Sequence, residues 1–436
     1  MNRTYRSKVR SAAEAAAMVA ARDTVTVPLG PGQPAALLQA LGERDDYEDL
    51  EIFTALLLAP YPLFTRSGVR VLSGFYGPVE RSLRQQGMHV EFVPADFRRY
   101  AHVARRLKSR VVVTVAAPPD ARGNMSLSLH AGATVAEMHN AAADPDRLLI
   151  VEVNPHYPRT FGLGDEHTHS LSVEEADVIV ESEAAPPVLA DAASNDVSRA
   201  IAEHVSRFVV DGATLQTGIG GIPSDVVAIL AAGKCGNFGI HSEMFTTGLM
   251  KLYQEGKVTN AKGMYDGYSI CTFALGSAEL HAWLHEQEKV RFLPVHLVND
   301  PAVIGRNRNM VSINGALAVD LAGQIGADTI AGRQFSGIGG HEDFVSGASM
   351  AEGGHSIVCL PSTATAGGTM ISRIVAGFPA GAIVTTPRHQ ADIIVTEYGA
   401  AEIAGLTVGE RARALAAIAH PDFRDSLSEE AARLQR

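Results

Sequence analysis

The chain has 436 residues, 46% of them hydrophobic and 19% charged, with 41 glycines and 21 prolines; domains usually run roughly 100 to 200 residues, so two packed domains are expected and disorder is excluded. The formal net charge of −11 argues against nucleic-acid binding, which draws most of its affinity from clustered Lys and Arg. Cys235, Cys271 and Cys359 stand far apart with no CxxC pair, which suggests neither a disulfide framework nor a zinc knuckle and fits a reducing cytoplasm.

Near the N-terminus an Ala-rich helical stretch carries Glu14 where a signal peptide would keep an unbroken apolar run, so no leader is expected. No stretch approaches the roughly 20 apolar residues that span a bilayer, and no membrane partner is expected. Short apolar runs at 24–27, 111–116, 148–153 and 178–180 read as buried strands between helical patterns. Arg98-Arg99 and Arg105-Arg106-Leu107-Lys108 form a local basic stretch suited to an anion. Asp165-Glu166-His167-Thr168-His169 has metal-ligand residue types, but neighbouring histidines in a polar loop read as hydrated surface, and no metal site is expected. At Glu181-Ser182-Glu183-Ala184-Ala185-Pro186-Pro187 the composition turns polar, which places a boundary between domains of residues 1–185 and 186–436.

The second half opens as the first does. Asp23 precedes Gly30-Pro31-Gly32 and an apolar helical run at 35–41; Asp211 precedes Gly218-Ile219-Gly220-Gly221-Ile222-Pro223 and a helical run at 224–230. Further strands are expected at 356–360 and 393–395. The alternation predicts an α/β protein of two similar open domains with mainly parallel sheets, and two such domains facing each other would put the active site in an interdomain cleft.

The Gly218 to Pro223 turn lets backbone N–H groups approach an anion, and Pro223 suits a helix start. The same turn also reads as a tight strand-to-helix connection without ligand. Glu243 follows Gly218 by 25 positions, roughly where a ribose-binding carboxylate of a dinucleotide fold would lie, although Pro223 replaces the third glycine of that fingerprint. His241 falls on the same strand face as Glu243, where packing competes with catalysis. No GxSxG or HExxH motif occurs.

From Gly239-Ile240-His241-Ser242-Glu243-Met244-Phe245 the chain closely resembles the acetyl-CoA hydrolase/transferase group of class I CoA-transferases, which includes 4-hydroxybutyrate, butyrate and itaconate CoA-transferases. The resemblance continues through Thr272-Phe273-Ala274-Leu275-Gly276, Val298-Asn299-Asp300-Pro301, Ser312-Ile313-Asn314 and Ser336-Gly337-Ile338-Gly339-Gly340-His341-Glu342-Asp343-Phe344. It implies a CoA transferase in which Glu243 is the nucleophile that becomes a glutamyl-CoA thioester. It implies oxyanion stabilisation by Asn299 and the N–H of Gly340, and CoA contacts from Gly218, Ile219, Gly220, Gly221, Ile222, Ser336, Gly339 and Gly340. Thr365 falls where some relatives place a lysine near CoA. The resemblance further implies no permanently bound cofactor, acyl-CoA and small carboxylic acids as partners, and a homo-oligomer. Arg98 or Arg99 is a candidate for pairing with the second carboxylate of a dicarboxylic acid; a solvated helix face is the competing reading. An acyl-CoA hydrolase sharing Glu243, and more distantly a nucleotide-binding oxidoreductase or noncatalytic binder, stay open at this point.

Overall fold

A computed structural model of the chain describes residues 3–190 and 192–434. The chain forms two compact units. One runs to Leu189 and also takes Glu243–Phe245 and Ile270–Val298; the other comprises Ala190–Ser242, Thr246–Ser269 and the chain from Asn299.

The first unit is built on an eight-stranded sheet. Its strands are β1 (Val9–Arg10), β2 (Arg22–Thr26), β3 (Asp49–Thr54), β4 (Val69–Ser73), β5 (Val90–Phe92), β6 (Val111–Ala116), β7 (Leu148–Val153) and β8 (Val178–Glu181). Their order is β1-β8-β7-β6-β2-β3-β4-β5, and every neighbouring pair is parallel. The central strands are apolar along their whole length because both faces are covered. Val111, Val113, Leu148, Ile150, Val178 and Val180 enter one core cluster, while Val112, Ala116, Leu149, Val151 and Ile179 enter another. This is the period-two alternation of a strand, with each face buried under its own layer. Helix α1 (Ala35–Glu43) follows β2 and inserts Leu37, Leu38 and Leu41 into the first of these clusters.

The second unit carries β9 (Thr214–Thr217), β10 (Gly239–Ile240), β11 (Met310–Gly315), β12 (His355–Cys359), β13 (Ile393–Thr396) and β14 (Gly399–Glu402) in the order β10-β9-β11-β12-β13-β14. All pairs are parallel except the last, which is antiparallel. Helix α2 (Gly221–Ala232) follows β9, and α3 (His341–Met350) precedes β12.

In both units the strand that ends in a Gly-rich turn lies at a reversal of strand order. After β2 the chain builds β3 to β5 on one side and returns to the other with β6; after β9 it lays β10 on one side and β11 on the other. Open parallel sheets bind ligands at the carboxyl ends of strands beside such reversals.

The division at Leu189 differs from the single cut expected after residue 185, because two later segments belong to the first unit. Backbone pairing explains it. The strand Met244–Phe245 pairs in parallel with Phe273–Ala274, Ala131 and Gly132 both donate to the Thr272 carbonyl, and Ala274 donates to Leu129. Among the described residues no helix is long and apolar enough to cross a membrane.

Candidate active site

At the carboxyl ends of β9, β11 and β12 the second unit encloses a cavity of about 710 Å³, within the usual size for small-molecule sites. Gly218, Ile219, Gly220, Gly221 and Ile222 form one wall, and Ile313 to Gly315 another. Gly220 has φ 121° and ψ 176°, a region essentially restricted to glycine. That conformation lets β9 turn directly into α2. As first-turn residues of α2, Gly221 and Ile222 present N–H groups that lack intrahelical acceptors. With the dipole of the helix they favour a negative charge. Two carboxylates, Asp196 and Glu397, also line the cavity. Glu397 is tied down by Ser362, whose N–H and hydroxyl donate to its two oxygens at 2.8 and 2.6 Å.

Asn299 and Gly340 meet at the amino end of α3. Gly340 is the residue from which the helix starts, its carbonyl accepting from the Phe344 N–H at 3.0 Å. In the first turn, Asp343 accepts from Asn299 Nδ2 at 3.0 Å across 44 positions of sequence, both side chains being fully buried. The loop before α3 is fixed from behind. Gln334 Nε2 donates to Asp328 Oδ2 at 2.9 Å and to the Ser336 carbonyl at 2.7 Å, the Ser336 N–H donates to the Asp328 carbonyl, and the Thr385 hydroxyl donates to Asp328 Oδ1 at 2.7 Å. Gly339, with φ 57°, makes the last turn of the loop.

Glu243 lies just beyond β10 at a bend and is half-buried. Its carbonyl accepts from the N–H groups of Thr272 at 2.9 Å and Phe273 at 3.2 Å, which fixes the backbone on which the carboxylate is mounted. Phe273 belongs to an apolar cluster with Leu29, Phe97, Tyr100 and Val295, against which Met244 packs. Glu243 is not among the residues lining the 710 Å³ cavity.

Arg98 pairs with Asp96 at 2.6 Å, and Arg99 is exposed. Their segment is held by Phe97, whose ring meets Tyr100 edge-on at 5.1 Å and Phe273 at 6.4 Å. His241 is fully buried, 6.2 Å from the Phe344 ring. The expectation of hydrated surface at residues 165–169 fails for His169. That ring is buried, stacks on Phe292 at 4.9 Å and bonds the Ser128 carbonyl at 2.9 Å; burial pulls its pKa down to about 3. Among the described residues no group of three or more His, Cys, Asp or Glu could hold a metal ion.

Sequence reasoning missed Asp343, Asp328, Thr385 and Glu397. Each acts by pairing with a residue far away in sequence, so spacing along the chain gave no sign of them; only Asp343 stood inside a motif already singled out.

Comparison with known proteins gives these features a context. The description "Acetyl-CoA hydrolase/transferase C-terminal domain" matches residues 276–431. The chain is 37% identical to the 4-hydroxybutyrate coenzyme A transferase of Clostridium kluyveri, over 98% of this chain and 97% of that protein. It is also 37% identical to the succinyl-CoA:cyclohexane-1-carboxylate CoA transferase of Geobacter metallireducens, over 99% and 97%. The crystal structure of RipA from Yersinia pestis superposes with a TM-score of 0.90 at 33% identity, covering 99% of this chain and 98% of that one. Identity at this level over nearly the whole length, on the same two-unit α/β scaffold, means that the chain belongs to the acetyl-CoA hydrolase/transferase family and is a CoA-transferase homologue.

Proposed function

We propose that this protein moves CoA between a short-chain acyl-CoA and a carboxylic acid in two half-reactions, through a thioester on Glu243. The observation that carries the proposal is the mounting of Glu243: a half-buried carboxylate whose backbone carbonyl is held by two N–H groups. Such fixation keeps a nucleophile in reach of a bound thioester without further ordering cost.

The Glu243 carboxylate attacks the acyl-CoA carbonyl, and the C–S bond breaks to give an acyl-glutamyl anhydride and CoA thiolate. The thiolate then attacks the glutamyl carbonyl and the donor acid leaves as its carboxylate. In the second half-reaction the acceptor carboxylate attacks glutamyl-CoA and a new anhydride forms with release of CoA thiolate. Attack of that thiolate on the acceptor's carbonyl releases Glu243 unchanged. No proton is gained or lost, and no resident cofactor is needed. Each step passes through an oxyanion, for which one preorganised donor is worth about 3 to 4 kcal/mol. Asn299 and the Gly340 N–H fill that role, with Asp343 holding one Nδ2 hydrogen of Asn299 so that the other has a fixed direction. The N–H groups from Gly218 to Ile222, with the Ser336, Gly339 and Gly340 loop, contact CoA, whose remote binding energy is spent at the reacting carbonyl.

Intact-protein mass spectrometry after incubation with acetyl-CoA and no acceptor tests this reading. A CoA-sized adduct on Glu243, absent in Glu243→Ala and released by hydroxylamine, is expected; an adduct elsewhere overturns it. Rapid CoA release without any acceptor acid would instead identify a hydrolase using the same glutamate, with water in the second half-reaction.

A further inference from the structure

Two short runs of chain lead to the mount of Glu243. Strand β10 stops at Ile240, shortly before Glu243, and the strand Ser269–Cys271 stops just before Thr272, whose N–H donates to the Glu243 carbonyl. One side chain joins these runs. Asn260 Oδ1 accepts from the Ile240 N–H at 3.0 Å and from the Ser269 hydroxyl at 3.1 Å. Its Nδ2 donates to the Tyr253 hydroxyl at 2.8 Å, and that hydroxyl lies 2.7 Å from Ser269 Oγ. The amide and the two hydroxyls thus close a triangle. It is buried: Asn260 is 2% exposed, and Ser269 and Ile240 are 0%.

The sheet explains why an amide is needed there. β10 lies at the edge of its sheet, and its pairing with β9 covers only Gly239 and Ile240. The N–H groups of Gly239 and His241 point inward, to the carbonyls of Ala213 and Leu215. Alternation therefore turns the Ile240 N–H outward, away from the sheet. A buried N–H left there without an acceptor is costly, and Asn260 Oδ1 supplies the acceptor that a further strand would have given. Asn260 does so from a left-handed backbone, φ 57°, which Asn tolerates better than most residues. Its own N–H donates to the Phe238 carbonyl at 3.0 Å, so main chain and side chain both grip the beginning of the run that leads to Glu243.

We infer that Asn260 is a positioning residue for the Glu243 nucleophile. The inference rests on the CoA-transferase reading and adds a part to it. Asn260 acts through the backbone: by pinning Ile240 and Ser269 to one oxygen it fixes where the two runs lie relative to each other. A nucleophile that must stand within attacking distance of a thioester loses rate steeply when its mount shifts, about a hundredfold for roughly 1 Å.

The test follows single-turnover formation of the glutamyl-CoA adduct from acetyl-CoA by intact-protein mass spectrometry, beside calorimetric titration of CoA, in wild type, Asn260→Gly, Asn260→Asp and Tyr253→Phe. Glycine accepts the φ of 57° and removes the amide without adding backbone strain. Asn260→Gly should slow adduct formation roughly ten- to hundredfold, while the Kd for CoA stays within about threefold of wild type. Asn260→Asp keeps an oxygen facing Ile240 and Ser269 and should recover most of the rate. Loss of stability alone would produce neither that split between rate and affinity nor that rescue. Tyr253→Phe removes one hydroxyl and leaves Oδ1 in place; it should slow the adduct by about three- to tenfold and keeps the test valid should Asn260→Gly fail to fold. Wild-type rates in the folded variants, a loss of CoA affinity as large as the loss of rate, or an Asn260→Asp as slow as Asn260→Gly overturns the positioning role and leaves the transferase reading intact. A wild-type protein that forms no adduct on Glu243 sinks both.

Discussion

The two Gly-rich turns occupy equivalent places, each at the reversal of its own parallel sheet, yet one is closed by the protein's own side chains and the other is open. In the first unit a Cβ added to Gly32 would come within 2.6 Å of His130 Nδ1 and of Pro28 Cβ. There, too, the buried Glu152 carboxylate at the end of β7 accepts from the Leu37 N–H at 3.1 Å, so an internal anion already sits on the first turn of α1. In the second unit a Cβ on Gly218 would meet nothing within 4 Å, and the end of α2 opens on the 710 Å³ cavity. The same local design therefore yields a closed turn or an open one, according to what the surrounding fold places in front of it.

The largest effect is expected on the open side. Asn299→Ala should lower kcat roughly 100- to 1000-fold with little change in KM for the acyl-CoA, since the proposed oxyanion contact would be made chiefly with the transition state; steady-state kinetics checks this, and a change confined to KM would contradict it. Glycine replacements then test the comparison directly. Gly220→Ala, at φ 121°, should raise KM for acyl-CoA about tenfold or more. Gly32→Ala should leave KM near wild type but lower the stability by about 1 to 3 kcal/mol through crowding, visible as a fall in Tm. If Gly32→Ala instead impaired CoA binding and left Tm untouched, the first turn would not be a closed one.

Glu152 gives the comparison a pH signature. Burial raises its pKa above the ordinary carboxylate value, against the lowering effect of the Leu37 and Ala36 N–H groups. A raised folded pKa means that the group's stability contribution is complete below its unfolded pKa and is lost as pH rises through the folded value. The Tm of Glu152→Gln relative to wild type should therefore improve as pH rises from about 4 toward neutrality. A constant offset across that range would refute the buried anion. The smallest effects are expected at the basic stretch: Arg98→Ala and Arg99→Ala should change kcat/KM for acetate less than about threefold. Only a selective loss for succinate would assign either one to a second substrate carboxylate.

Much of the fold could be read in advance because strands buried on both faces must be apolar throughout. The runs at 111–116 and 148–153 coincide with β6 and β7, and the expected strand at 393–395 with most of β13. The duplicated strand, turn and helix was legible from Gly30 and Gly218, although β2 starts before Asp23 while β9 starts three residues after Asp211. His169 was misjudged because its neighbours Asp165 and Glu166 are polar and exposed, whereas its own ring is covered by Phe292, more than a hundred positions later.

By itself the sequence determined the class of the protein: parallel α/β halves, a glycine-only bend before α2, and ordered motifs around Glu243, Asn299 and Gly340 that carry the family resemblance. These depend on local conformation and on apolar periodicity, which a linear string records. Only the tertiary structure decided that Glu152 closes one turn while the other stays open, and that Asp343 holds Asn299. Those outcomes depend on which distant side chains share a small volume, and burial and pairing across that volume, rather than position along the chain, set their chemistry.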